Sequence, residues 1–200
     1  MSLTLYYSDV LTTAPTLEPV NVEDARRNLD LDDNYRDADV EQWIIEARKS
    51  VEHDARVALV NQTRTLVTHA FPASSSFNVG TVSPLVSVTS ISYLDTAGTS
   101  QTLATTVYKV DTGRRPGVVW LKSGQTWPST YDEANSVTVV YVAGHGAAAS
   151  TVPEAAKQAI YLLVRYRLDN PDGYRVNASE RAGLYGYEHC INQLRPGGYP

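Results

Sequence analysis

The chain has 200 residues, 42% hydrophobic and 20% charged, with a formal net charge of −5. That is enough to bury a core in one domain or two small ones, while no apolar run approaches the ~18 residues of a membrane-spanning helix. The single cysteine, Cys190, excludes an internal disulfide and any multi-cysteine metal site.

Residues 1–18 read as an N-terminal arm, without the basic start and long apolar stretch of a secretory signal. "PVNVEDARRNL" then predicts a short helix to about Leu29. Asn21 suits the N-cap, and Glu23 and Asp24 put negative charge in the first turn, where the helix dipole favours it. "DLDDNYRDAD" is a polar turn. A longer helix is predicted from about Ala38 to Val60. Its Val40, Trp43, Ile44, Ala47, Val51, Ala55 and Ala58 recur at spacings of three and four, with Glu41, Glu46, Lys49, Glu52 and Arg56 opposite.

The period then changes. "TRTLVTHAF", "VSVTSISYL", "TVYKVDT", "GVVWL" and "SVTVVYVAG" are rich in Val, Thr, Tyr and Ile, and Gly, Pro, Asp and Ser fall between them. Five or six strands are expected. They should be mostly antiparallel, because several connections are too short for crossover helices. Helix returns after Gly144-His145-Gly146: Pro153 fits a first helical position, Thr151 can cap nearby, and Ala156, Ile160, Leu163 and Val164 line one face. A break is expected at Pro171 and Gly173, then a weaker helix from about Ser179 to Leu194.

This order predicts an α+β fold: a small helical bundle built from N- and C-terminal segments, with an antiparallel β domain inserted. The helical parts are 19–60 and 151–170, the insertion is 61–150, and 171–200 is a C-terminal docking segment. Val51 and Ile160 are expected to share one core.

The chemistry-bearing residues form no reaction centre in the sequence. Gly144-His145-Gly146 lacks the Ser of a nucleophile elbow, and no phosphate-loop string occurs. Gly144, Gly146 and Pro153 therefore read as a hinge. His53 lies between Glu52 and Asp54, and His189 beside Cys190; adjacent helical residues face apart. Counted from Asp32, the Gly and Glu positions of a calcium loop hold Asp37 and Trp43. No catalytic residue, cofactor or metal is assigned. Tyrosine dominates the aromatics, 13 against 3 Trp and 2 Phe, as at interfaces, where a ring needs an apolar body and a polar tip. Tyr174, Tyr185, Tyr187 and Tyr199, with Arg175, Arg181 and Arg195, mark the docking segment.

The charge is uneven. Residues 1–60 hold thirteen Asp/Glu against six Lys/Arg; residues 61–150 hold four against five, and 151–200 five against six. The sequence shows no cluster of Lys and Arg of the kind that grips phosphates, so tight nucleic-acid binding is not expected.

Taken in order, several stretches resemble the head–tail connector (adaptor) proteins of tailed bacteriophages, in the branch that carries a β domain within the helical connector fold. They are "EPVNVEDARRNLDLDDNYRDADVEQWIIEARKSVE", "SPLVSVTSISYLDTAG", "VYKVDTGRRPGVVWL", "SGQTWP" and "VTVVYVAGHGAAASTVPEAAKQAIYLLV", covering about residues 18–168. The resemblance implies a non-enzymatic virion protein assembled in the host cytoplasm. It would form a ring of about twelve copies. Its partners would be itself, the portal protein, the stopper or a tail-tube or terminator protein, and passing DNA bound without sequence specificity; no membrane is implied. Asp32, Asp33, Glu41 and Glu46 would line part of the channel and repel phosphate. The docking segment would meet the portal, so that removing it should leave a folded protein. The alternatives are another neck or tail-completion protein that contacts the tail, a hydrolase, and a small DNA-binding module.

Overall fold

The computed structural model describes residues 7–31, 36–170, 184 and 186–195. The fold is α+β, and the chain divides into two compact units. Tyr7–Pro15 belongs with Asn61–Gly144 in one; Thr16–Val60 belongs with the described residues from His145 onward in the other. The chain thus passes from one unit to the other three times: after Pro15, Val60 and Gly144.

The helical unit is built from α1 (Val22–Leu29), α2 (Asp37–Ala55), α3 (Glu154–Asp169) and α4 (Tyr187–Leu194). Asn21 caps α1, its side-chain oxygen accepting from the Asp24 amide at 2.7 Å. The Arg165 side chain donates to the Leu29 carbonyl at the other end of α1, 3.3 Å away, satisfying an acceptor that the helix leaves open. Val51 and Ile160 lie in one core with Ala25, Ile44, Val164 and Ile191, all nearly or fully inaccessible.

Two boundaries differ from the sequence reading. α2 ends at Ala55 because Arg56 adopts a left-handed conformation, φ 56°, the usual way for a chain to leave a helix. Val57 to Val60 then run on as buried, non-helical chain. Thr151 does not cap α3: its hydroxyl donates to the Ala148 carbonyl at 2.6 Å and closes a short 3-10 turn, Ala149–Thr151. Pro153 is the residue just before the helix.

Among the described residues, the sheet unit contains eight strands: β1 (Tyr7–Thr13), β2 (Gln62–Thr68), β3 (Ser76–Asn78), β4 (Leu85–Leu94), β5 (Ser100–Thr102), β6 (Tyr108–Asp111), β7 (Val118–Leu121) and β8 (Val137–Ala143). A five-stranded sheet has the order β1-β2-β8-β4-β5, and a three-stranded sheet the order β3-β7-β6. Every pairing is antiparallel. In β8, Val137, Val139, Tyr141 and Ala143 are buried and alternate with partly exposed residues, the period of a strand packed on one face. The expected arm is thus not separate: β1 forms an edge of the larger sheet.

Candidate interaction surfaces and the residues that hold them

Two glycines follow β8. Gly144 has φ 151° and Gly146 φ 155°, backbone that side-chain-bearing residues rarely adopt. A Cβ on Gly144 would lie 2.5 Å from the Asn61 amide nitrogen, and one on Gly146 would collide with the Thr151 side chain. The Gly144 amide donates to the Pro84 carbonyl at 3.0 Å, and the His145 amide to that of Leu59 at 3.3 Å. Gly144 and Gly146, expected with Pro153 to form a hinge, are thus each packed closely against a residue of their own unit.

In the helical unit, Arg48 is buried between two carboxylates. Its Nε donates to Glu18 at 2.6 Å and its Nη1 to Glu52 at 2.8 Å. Glu52 also accepts the Leu59 amide at 2.9 Å, so it holds the chain that follows α2. It is turned inward, its side chain 12% exposed, and does not belong to the solvent face where the periodicity put it. Burial pushes the Glu52 carboxyl up, against the opposing pull of the Leu59 amide and Arg48. Burial likewise works against the charge of Arg48, but its hydrogen bond to Glu18 and both carboxylates outweigh it and raise the guanidinium.

In the sheet unit, the Asp9 carboxylate is 3% exposed and accepts from four donors. They are Arg64 Nε at 3.0 Å, the Tyr141 hydroxyl at 2.8 Å, the Thr81 amide at 2.7 Å and the Thr81 hydroxyl at 2.8 Å. The register explains the meeting. Arg64 faces Tyr141 across β2 and β8, and Asp9 faces Leu66 one diagonal away. Burial, with Asp9 adding to it, pushes the Tyr141 phenol well above its ordinary range. The sequence held one unused signal here, an Asp in the middle of an otherwise uncharged strand, "YYSDVLTT".

Of the residues expected to line a channel, Glu41 and Glu46 are exposed on α2; Asp32 and Asp33 lie outside the described residues. Of those expected to dock, Tyr174, Arg175, Arg181, Tyr185 and Tyr199 also lie outside them. Tyr187 is fully buried, and its hydroxyl donates to Asp54 at 2.9 Å. Its ring is part of the helical core, with Ile191 and Leu194 one and two turns on. Arg195 is exposed and donates to the Asn192 side chain at 2.9 Å. Among the described residues, no group of three or more His, Cys, Asp or Glu is arranged to hold a metal ion, and no helix is long and apolar enough to cross a membrane.

The sequence reading missed a cationic hairpin. Strands β6 and β7 and their flanks, residues 109–122, carry Lys109, Arg114, Arg115 and Lys122 against the single acid Asp111. Arg114 lies over the Trp120 ring, 5.4 Å from its centroid, and meets Asp111 at 3.4 Å.

No protein-family model and no curated protein matches the sequence. Solved structures do match the fold. A chain in the neck of an empty GTA particle, computed with C6 symmetry, superposes with a TM-score of 0.73 at 20% identity, covering 96% of this chain and 100% of that one. A chain of the virion of a native gene transfer agent (GTA) particle gives 0.72 at 20% identity, with 94% and 95% covered. One from the neck of a native GTA particle, computed with C12 symmetry, gives 0.67 at 21%, with 96% and 100% covered. Over almost its whole length, this chain has the fold of the neck chains of gene transfer agent particles.

Proposed function

We propose that this chain is a structural subunit of the neck of a phage-like particle. It acts as a head–tail connector, forming a ring under the portal, joining it to the stopper or tail, and leaving a central passage for DNA. It serves by binding and not by catalysis. The observation that carries this reading is the near end-to-end match of both units, in one chain, to chains of a particle neck. A match to one unit alone would speak only for a common sheet or a common bundle. The cyclic symmetry named for those necks suits a chain that repeats around an axis, and a closed ring needs two different, complementary surfaces on each copy.

The test is electron microscopy of particles assembled with an affinity-tagged form of this chain. The tag should appear at the junction of head and tail, in cyclic copies around the DNA path. Particles that lack the chain, or carry it on the head shell or the tail tip, overturn the proposal.

A further inference from the structure

Among the described residues, four large apolar side chains stand exposed: Val10 at 50%, Leu11 at 46%, Val86 at 41% and Tyr131 at 42%. They divide between the two sides of the five-stranded sheet. Val10 and Leu11 lie on β1, one edge of it. Val86 lies on β4, and the Tyr131 ring rests against Gly98 in the turn between β4 and β5. That second side is an open edge too, because β5 covers β4 only from Ile91 to Leu94. Leu85–Ser90 run beside β8 on one side and beside no described strand on the other. β1 likewise pairs with β2 alone. Strand edges present unpaired N–H and C=O groups, which proteins usually blunt by brevity, charge or proline. The other edges here are blunted: β3 and β5 have three residues each, and β6 has four, two of them Lys109 and Asp111. β1 and the open stretch of β4 contain no proline, and their one charge, Asp9, is buried and engaged within its own sheet.

The complement of an open strand edge is another strand, and this sheet holds both halves of such a pair. Strand direction alternates along β1, β2, β8 and β4, so β1 and β4 run in opposite senses. A second copy set beside the first in the same orientation therefore brings its β4 antiparallel to β1, as in every pairing of the sheet. The lengths agree: β1 has seven residues, and the open stretch of β4 runs from Leu85 to Ser90. Within one chain the two edges cannot meet, since β2 and β8 hold them about 14 Å apart. We infer that β1 of one copy pairs with the open stretch of β4 in the next, in line with β5, so that the sheet continues from copy to copy. The partner is a second copy of this chain, and the inference rests on the ring reading above. Such a contact uses two unlike surfaces per copy, as a closed ring requires. Two β1 edges meeting each other would stop at a two-fold dimer and leave β4 open. The register shifts that skip Thr12, Val86 and Thr89 bend both strands, and a ring needs a bend at every junction between copies.

The experiment measures self-association of the full chain by sedimentation across protein concentration, with lysines placed on one edge at a time. One variant is Val10→Lys with Leu11→Lys, the other Val86→Lys with Thr89→Lys; all four positions are exposed. The wild type should form assemblies larger than dimers. Each variant alone has one blocked edge and should associate about tenfold more weakly or worse. An equimolar mixture of the two should stop at a one-to-one dimer, joined through the one intact β1 edge and the one intact β4 edge. Amide hydrogen exchange of the associated wild type gives a readout independent of the variants: protection should rise in Tyr7–Thr13 and Leu85–Ser90 together. A wild type that stays monomeric or stops at a dimer, variants that associate as it does, a mixture without the dimer, or protection that rises at one edge alone overturns the inference. So does protection that the purified chain never gains and that appears only in assembled particles, since another neck component then covers these edges. The tagged-particle experiment separates the two proposals: rings at the neck that still incorporate both variants discard only this contact.

Discussion

In the helical unit a buried cation, Arg48, lies between two carboxylates; in the sheet unit a buried carboxylate, Asp9, lies among four donors. Each node ties a residue from the first eighteen to a core assembled from much later sequence. The balance of charge differs. Around Arg48 there is one carboxylate more than the cation needs, and burial leaves Glu52 with a raised pKa. Around Asp9 the donors meet the carboxylate's acceptor sites. The helical node can therefore gain a proton and still hold together, whereas the sheet node depends on the one charge at its centre.

The largest change to this comparison comes from truncation. Ending the chain after residue 170 removes α4 and with it the buried Tyr187, Ile191 and Leu194. Each such side chain contributes about 1.5–3 kcal/mol by burial. The helical unit should melt at markedly lower denaturant, against the expectation that the docking segment comes away harmlessly.

Asp9→Ala comes next. It strands Arg64, Tyr141 and Thr81 around an empty acceptor, and should cost the sheet unit about 3–5 kcal/mol. Amide hydrogen exchange should show protection lost first between β1 and β2. Glu52→Ala should cost the helical unit about 3 kcal/mol, the lower end of that range, because Glu18 still pairs Arg48.

Acidity sharpens the contrast. A carboxyl raised in the fold favours folding in its protonated form. Its contribution is complete below the unfolded value, near 4.5, and fades as pH climbs through the higher folded value. Denaturation across that window should show the helical unit weakening as pH rises, and Glu52→Gln should flatten the slope. A slope unchanged in the Gln variant would assign it to another group. The smallest effect is a gain: Arg56→Gly relieves a left-handed residue at the end of α2 and should add about 0.5–1 kcal/mol to the unfolding free energy.

Much of the fold was legible because its signals are local. The cap at Asn21, the stripe through Val40 and Val51, and the alternation in "SVTVVYVAG" each occupy one short window. β1, β3 and β5 were not legible. β5 is three exposed residues, and β1 is a strand only because β2, some fifty residues on, pairs with it. The end of α2 was misplaced because Ala58 keeps the apolar spacing while Arg56 and the Glu52–Leu59 bond turn the backbone away. The hairpin charges were hidden by averaging: a surplus of one over residues 61–150 says nothing of four cations packed into 109–122.

The three passages between units have a consequence for anything that attacks the backbone. They fall after Pro15, Val60 and Gly144, next to the ends of the neighbouring strands β1, β2 and β8. A protease that nicks any one of them leaves two covalent tethers intact, and a second nick still leaves one. Neither unit can be shed until all three are severed.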